Sequence, residues 1–394
     1  MNVQVQVSKI GEKEKSPLQR VTLVATKDFK AGDTIFTEKP MVTALDADLM
    51  GTSQYCSYCL KAIPNGSAIQ VPLDPFHSAY CSTQCQHDAE EQYQTLLFST
   101  IPPATPSNPA PVRTKAQVEE RKKAQEQFVE TVKESGKTGA LLVLRFVGRL
   151  IADEHARLVG ENKTDDGLPK VEEESKLNYS FYDYTERLRS LVLTSGPQDE
   201  KELAQSREVL RLAVDGMEAF LDDERFMLLK GKMAYNCYGV TYDTGRTNKP
   251  SPHGPTESFE RTRTPHGTMH QVGSALYRVA SYINHSCAPS ARPVFASGTA
   301  ELSIVAAQDI KAGEEITVSY VDTKKRSKDK NLADARKHRR LELARGWGFA
   351  CDCTRCAEEA SNMSSDGSEN GEALPTHQVR LDPAAERYFN EANA

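Results

Sequence analysis

Eight of the nine cysteines fall into two spaced sets, and that spacing limits how the chain can close on itself. Cys56-x2-Cys59 with Cys81-x3-Cys85 makes one set of four. The other is split: Cys351-x-Cys353-x2-Cys356 offers three thiolates, a closed zinc site needs four tetrahedral ligands, and Cys287 is the obvious fourth. MNVQVQVSKI carries no charged-then-apolar signal pattern, so secretion is not expected, and thiols kept reduced favour metal ligation over disulfides. Two structural zinc ions are therefore expected, one on Cys56, Cys59, Cys81 and Cys85, the other on Cys287, Cys351, Cys353 and Cys356. Binding of this kind supplies roughly 10 to 16 kcal/mol of apparent folding free energy, enough to order a small module with little core. His77 and His87 lie near the first set but are read as non-ligands, because four thiolates leave no vacancy. Cys237 reads as a small buried hydrophobe.

At 394 residues, 38% hydrophobic and 26% charged, the chain has ordinary globular composition and room for two or three packed units. Its longest apolar stretch, Gly139 to Ala152, contains Arg145 and Arg149 and falls short of the about 20 residues a bilayer span needs. No membrane association is expected. The net charge of -6 disfavours nucleic acid phosphate, so direct nucleic-acid binding is expected to be weak at most, and a basic protein partner suits the chain better. The basic run from Lys324 to Arg345 reads first as a solvated helix face, with a phosphate-contacting or nuclear-import patch as the other reading.

Along the chain, 1–50 reads as short strands, 51–95 as a single-zinc module, 96–114 as a Pro-rich linker and 115–232 as mostly helical. Residues 233–323 return to short apolar runs, interrupted by a long polar insertion from Thr241 to Met269 that reads as a loop. Then come a basic helix and the cysteine run at 324–357, and an acidic, Ser-rich flexible tail at 358–394. One pattern recurs: Lys27-Asp28-Phe29-Lys30-Ala31-Gly32-Asp33 is echoed by Gln308-Asp309-Ile310-Lys311-Ala312-Gly313-Glu314. Each glycine can take a left-handed turn position, so both read as similar strand-turn-strand pieces of one β-rich fold.

Asn284-His285-Ser286-Cys287 and Gly313-Glu314-Glu315-Ile316-x3-Tyr320 resemble the core motif and the catalytic strand of SET-domain protein lysine methyltransferases. Phe349-x-Cys351-x-Cys353-x2-Cys356 is similar to their post-SET zinc segment, and the first cysteine set, with Tyr80-Cys81-x3-Cys85-Gln86, to half of a MYND zinc finger. In order and spacing, residues 15 to 357 resemble the SET-and-MYND type, nearest the fungal Set-five group that methylates histone H4 tail lysines. The resemblance implies an α+β class: a β-rich SET fold with an inserted zinc knuckle, a helical insertion and a C-terminal post-SET segment. It implies S-adenosylmethionine as cofactor, held by Asn236, Asn284, His285, Tyr320 and Phe349, with Tyr320 acting on the lysine amine and Tyr277 and Tyr282 lining its channel. A histone tail is the implied substrate, with association to chromatin, a nuclear location and cytoplasmic presence left open.

The pattern departs from the family at the cofactor loop, where Gln19-Arg20-Val21-Thr22-Leu23-Val24-Ala25 replaces a Gly-x-Gly. A side chain there can obstruct the ligand or shift the strand. The alternative that follows is a catalytically silent scaffold for chromatin or transcription partners. A zinc hydrolase fits poorly, since catalytic zinc keeps an open position and these sites are closed by thiolates.

Overall fold

In the first strands the apolar residues alternate, and alternation in an antiparallel pair puts every second side chain on one face. In the computed structural model, which describes residues 2–10, 18–99, 114–158, 188–249, 261–264 and 270–364, β1 (Val3–Ile10) pairs antiparallel with β2 (Leu18–Ala25). Val3 opposes Ala25 and Val5 opposes Leu23, and the buried Val21, Leu23 and Ala25 face the core. The remaining strands are short. β3 (Thr34–Glu38) lies beside β11 (Leu302–Ala306), which also pairs with β10 (Ala291–Val294). A second sheet runs β4 (Val42–Leu45), β8 (Gln271–Leu276), β7 (Tyr238–Thr241), and β5 (Ile69–Gln70) with β6 (Ala79–Tyr80) forms a small hairpin.

Strands distant in sequence meet at the centre. β9 (Asn284–His285) pairs in parallel with β12 (Thr317–Val318), and the backbone of 313–316 bonds to β2 through Gly313 N to Ala25 O (2.7 Å) and Ile316 N to Leu23 O (2.8 Å). The segment that leads to Tyr320 is thus held between the N-terminal hairpin and Asn284-His285.

The two recurrent turns bind each other reciprocally. Phe29 and Ile310 exchange backbone hydrogen bonds at 2.8 and 2.9 Å, Asp309 accepts from Ala31 N and Lys30 Nζ, and Asp28 accepts from Ala312 N and Lys311 Nζ, each at matching 3.0 and 2.7 Å. Gly32 (φ 94°) and Gly313 (φ 86°) occupy the left-handed position that glycine adopts at no steric cost. A sequence repeat has become a local two-fold clasp.

Helices pack against this β framework. Lys115–Ser135 starts on a capping box of Thr114 and Gln117 and ends at Gly136 in the left-handed region. Gly139–Leu158 turns Arg145 and Arg149 inward: Arg145 donates to Thr43 O (2.6 Å) and Arg149 to Met41 O (2.5 Å), fastening the helix to the β4 region. Pro197–Ala213 and Asp223–Asn236 complete the block, and the latter runs directly into β7. No helix among the described residues is long and apolar enough to cross a membrane.

Two readings of the sequence change. The basic run forms the helix Leu332–Trp347, but it is not only a solvated face: Arg339 is 2% exposed and paired with Glu359, and Arg336 Nε donates to Cys356 O at 2.8 Å. Glu358 does not open a flexible tail, because the helix Thr354–Ser364 carries on through it, with Glu359 also paired to Arg355; the rest of the tail lies outside the described residues. Residues 242–249 and 261–264 of the polar insertion form neither helix nor strand, as a loop reading expects, yet Arg263 is 1% exposed; residues 250–260 and 265–269 lie outside the described residues. Residues 100–113 of the Pro-rich linker lie outside the described residues.

Candidate active site and metal centres

The cysteines gather as two groups of four whose sulfurs all lie within 4.8 Å of one another: Cys56, Cys59, Cys81, Cys85 and Cys287, Cys351, Cys353, Cys356. Four sulfurs on one tetrahedral zinc, each about 2.3 Å away, would stand about 3.8 Å apart. The separations fit: Cys59 to Cys81 is 3.6 Å, Cys81 to Cys85 3.7 Å, Cys287 to Cys351 3.8 Å and Cys287 to Cys356 3.6 Å. All are far longer than a disulfide's roughly 2.05 Å. Neither His77 nor His87 joins a group; His87 is exposed and pairs with Glu91. Cys237 is buried in the core.

Local structure explains the first group. Leu60, at φ 61°, lets the chain turn back so that Leu60 N reaches Cys56 O and Cys56 N reaches Lys61 O, while Ser82 caps the helix Thr83–Ala89 that carries Cys85. The module is fastened to the rest of the fold by Arg145 Nη1 to Ser57 O, Thr43 Oγ1 to Tyr58 O and Ala300 N to Cys59 O.

The second group sits against Asn284-His285. His285 Nδ1 accepts from Tyr320 N (3.0 Å), so its proton lies on Nε2, which faces Cys287 Sγ at 3.3 Å. Burial pushes the imidazole pKa down to about 4, leaving the ring neutral. One histidine therefore couples the backbone at Tyr320 to a cysteine of the cluster. Arg355 adds a bond from Nη1 to Cys287 O (3.0 Å).

Tyr320 stands at the focus of an aromatic group. Its ring lies 5.4 Å from His285, 5.5 Å from Trp347, 6.4 Å from Phe349 and 6.5 Å from Tyr235, with the Arg263 guanidinium 4.6 Å from its centroid. Its hydroxyl donates to Ile283 O at 2.5 Å. Burial raises its pKa above the ordinary tyrosine value, against the lowering effect of Arg263, so it stays a phenol at neutral pH. Phe349 is half-buried and also contacts His285 at 6.0 Å.

The remaining candidates are placed unevenly. Asn284 donates from Nδ2 to Val21 O (3.0 Å) and Glu315 Oε1 (2.8 Å), which ties the motif to β2. Asn236, at the end of its helix, is fully buried: Nδ2 donates to Arg189 O and Lys232 O, and Oδ1 accepts from Arg263. Tyr282 is 8% exposed on the turn before Asn284. Tyr277 points elsewhere: its ring meets Tyr238 at 5.7 Å and its hydroxyl donates to Ala300 O, whose amide bonds to Cys59 O, on the side of the first cysteine module.

Three residues here were not singled out by the motifs. Trp347 is the chain's one tryptophan, and its Nε1 is buried with no hydrogen-bond partner among the described residues; its place two residues before Phe349 was a usable signal. Arg263 sits in an insertion that reads as loop, and Glu38 ends an ordinary strand. Neither carries a local signal.

The SET domain family model matches residues 20–321. The histone-lysine N-methyltransferase SET5 of Meyerozyma guilliermondii is 38% identical over 105 residues, covering 26% of this chain and 20% of that protein. The protein-lysine N-trimethyltransferase SMYD5 of Gallus gallus is 36% identical over 101 residues, 26% of this chain and 23% of that protein. SMYD5 of Danio rerio aligns at 23% identity over 401 positions, 88% of this chain and 87% of that protein. The matched segments thus span about a fifth to a quarter of the first two relatives.

Proposed function

The chain belongs to the SET-domain family, and from that premise we propose that it is a protein-lysine N-methyltransferase that uses S-adenosylmethionine and is braced by two structural zinc ions. The observation that carries the proposal is the placement of Tyr320, buried among aromatic rings beside Asn284-His285 with its hydroxyl fixed on Ile283 O.

The residues present fit such a cofactor in two respects. Phe349 offers a half-buried aromatic ring, and Trp347 Nε1 is a buried donor without a partner among the described residues, as an aromatic ligand rich in acceptors would require. Asn284, through Oδ1, His285, through its backbone, Tyr320 and Phe349 would hold it, and Asn236 would act mainly by fixing the helix end. When bound, the cofactor supplies a methyl group on a sulfonium sulfur, which an amine takes by in-line displacement.

The protein's part is positioning and proton control. A lysine amine must be neutral to attack, against a free pKa of about 10.4, and an aromatic, water-poor channel favours the neutral form. Tyr320 donates its proton to Ile283 O, so its oxygen lone pairs are free to accept an N–H and aim the nitrogen. Held as a phenol, it cannot serve as the base. The displaced proton therefore leaves to solvent, and Tyr320 contributes orientation.

By resemblance the substrate is a basic histone tail, histone H4 in particular, which suits a chain of net charge -6 and a role in the nucleus on chromatin, with cytoplasmic presence left open. The test is incubation with labelled cofactor and core histones, with mass spectrometry of the modified lysine. Tyr320→Phe should lose transfer; unchanged transfer would sink the mechanism. A scaffold without catalysis is favoured by one observation, the glycine-free β2 tied to the Asn284 amide at Val21. Binding at about 100 times the dissociation constant should add about 2.7 kcal/mol of stability, so a melting curve that S-adenosylmethionine leaves unmoved would favour the scaffold.

A further inference from the structure

One short turn, Arg278–Ile283, delivers the carbonyl that the Tyr320 hydroxyl uses and leads directly into Asn284. Its two ends meet two buried ionisable side chains, a carboxyl and a guanidinium. Glu38, 1% exposed at the end of β3, accepts from the amides of Arg278 (2.7 Å), Val279 (2.8 Å) and Ala280 (3.0 Å). At the other end Arg263, also 1% exposed, donates through Nη1 to the carbonyls of Ser281 (2.8 Å), Ile283 (3.3 Å) and Ala280 (3.4 Å).

The rest of the Arg263 fork reaches the end of the helix Asp223–Asn236, with Nε on Tyr235 O and Nη2 on Asn236 Oδ1, both at 2.9 Å. Its Cζ lies 4.6 Å from the centroid of the Tyr320 ring and 5.1 Å from that of Tyr235. All five acceptors are uncharged, so what holds this cation in the interior is the converging carbonyl dipoles of the turn and the helix end, together with the ring faces. An anion at the N–H end and a cation at the C=O end are what the dipole of a short helical turn favours.

We propose that Glu38 and Arg263 are a two-ended clamp on this turn and act as positioning residues for methyl transfer, fixing where the Tyr320 hydroxyl points. The proposal rests on the methyltransferase reading above. Ile283 O receives both the Tyr320 hydroxyl and Arg263 Nη1, so displacing the guanidinium displaces the acceptor that orients the phenol. Lysine in place of Arg263 keeps the charge but not the planar fork, and glutamine in place of Glu38 keeps the shape but turns one of the two acceptor oxygens, which share the three amides, into a donor.

The test uses the full zinc-loaded chain, with Arg263→Lys and Glu38→Gln compared with wild type. Three readouts apply: kcat and KM for cofactor and for an H4 tail peptide, emission of the sole tryptophan, Trp347, and amide hydrogen exchange at 278–283. Each variant should lower kcat about tenfold or more with both KM values within about threefold, the pattern of lost orientation. Glu38→Gln should speed exchange at 278–280, and Arg263→Lys should shift the emission of Trp347, whose ring is 5.5 Å from Tyr320. A purely structural role would lower the melting temperature and leave kcat per folded molecule at wild type, which would overturn the proposal. Absence of transfer by wild type would defeat the methyltransferase reading instead. In that case exchange and emission, which need no turnover, decide the clamp, and finding both unchanged would overturn it.

Discussion

The two four-cysteine groups share a chemistry and differ in reach. In the first, Cys59 and Cys81 are 22 residues apart, and the group closes on a turn and a helix start that lie close together in the chain. In the second, Cys287 and Cys351 are 64 residues apart, and the chain between them contains Tyr320. A metal there would close a long loop around the site, and His285 passes its placement to the Tyr320 backbone. The first group orders a module; the second closes a site.

Exchanging one ligand in each should break this comparison if it is wrong, and it carries the largest expected effect. Cys287→Ser should abolish methyl transfer, halve the zinc content from two ions to one, and raise hydrogen exchange across 347–357 while 51–95 stays protected. The scale is set by roughly 10 to 16 kcal/mol of metal-linked folding energy. Cys56→Ser should do the converse, loosening 51–95 and leaving the second zinc in place. Metal analysis showing both ions lost from either variant would join the two sites into one unit.

Next in size is Tyr320→Phe. It removes the hydroxyl bond to Ile283 O and keeps the ring in its aromatic group, so kcat should fall by about 100-fold while zinc content and the melting temperature hold. A parallel loss of zinc would show that the second cluster depends on the site rather than supporting it.

Glu38 gives a smaller effect with a definite sign. Burial, opposed by its three amide donors, pushes its pKa from an ordinary 4.5 up to about 7. A carboxyl raised on folding contributes stability in full below pH 4.5 and loses it as pH rises to about 7, a change of roughly 3 kcal/mol. Zinc thiolates act in the opposite direction over this range, because ligation releases protons. The difference in stability between wild type and Glu38→Gln, from urea melts at pH 5 and pH 7.5, should therefore shift against wild type as pH rises. No shift would mean that Glu38 is ionised as easily folded as unfolded.

The same contrast between local and long-range order separates what the sequence makes legible from what it hides. Cysteine spacing announces both metal groups, because a tetrahedral ion imposes its own geometry on whatever chain carries the ligands. Asn284, His285, Tyr320 and Phe349 stand in motifs whose order reveals that they meet. Arg263 does not, since a buried arginine satisfied by carbonyls looks, in a stretch rich in Gly and Pro, like any loop cation. Glu359 reads as part of an acidic linker, and only Arg339 and Arg355, brought against it in the fold, make it a helix residue. Tyr277 illustrates the converse: it lies close to the motif in sequence, and the end of β8 turns it toward Ala300.

The smallest expected effect sharpens the comparison from the other side. The clasp between the two recurrent turns also joins distant segments, Asp28 to Lys311 and Asp309 to Lys30, beside the strand that leads to Tyr320. Unlike the second cluster it lies in solvent, where ion pairs are screened and hold little. Asp28→Asn and Asp309→Asn should each move the melting temperature by no more than about 2 °C, by equal amounts because the two halves repeat each other's bonds, and leave methyl transfer unchanged. Thermal melts in low and high salt check both points. A large or unequal shift would mean that closure of the site is shared between the clasp and the cysteines, and that the buried cluster is not its principal tie.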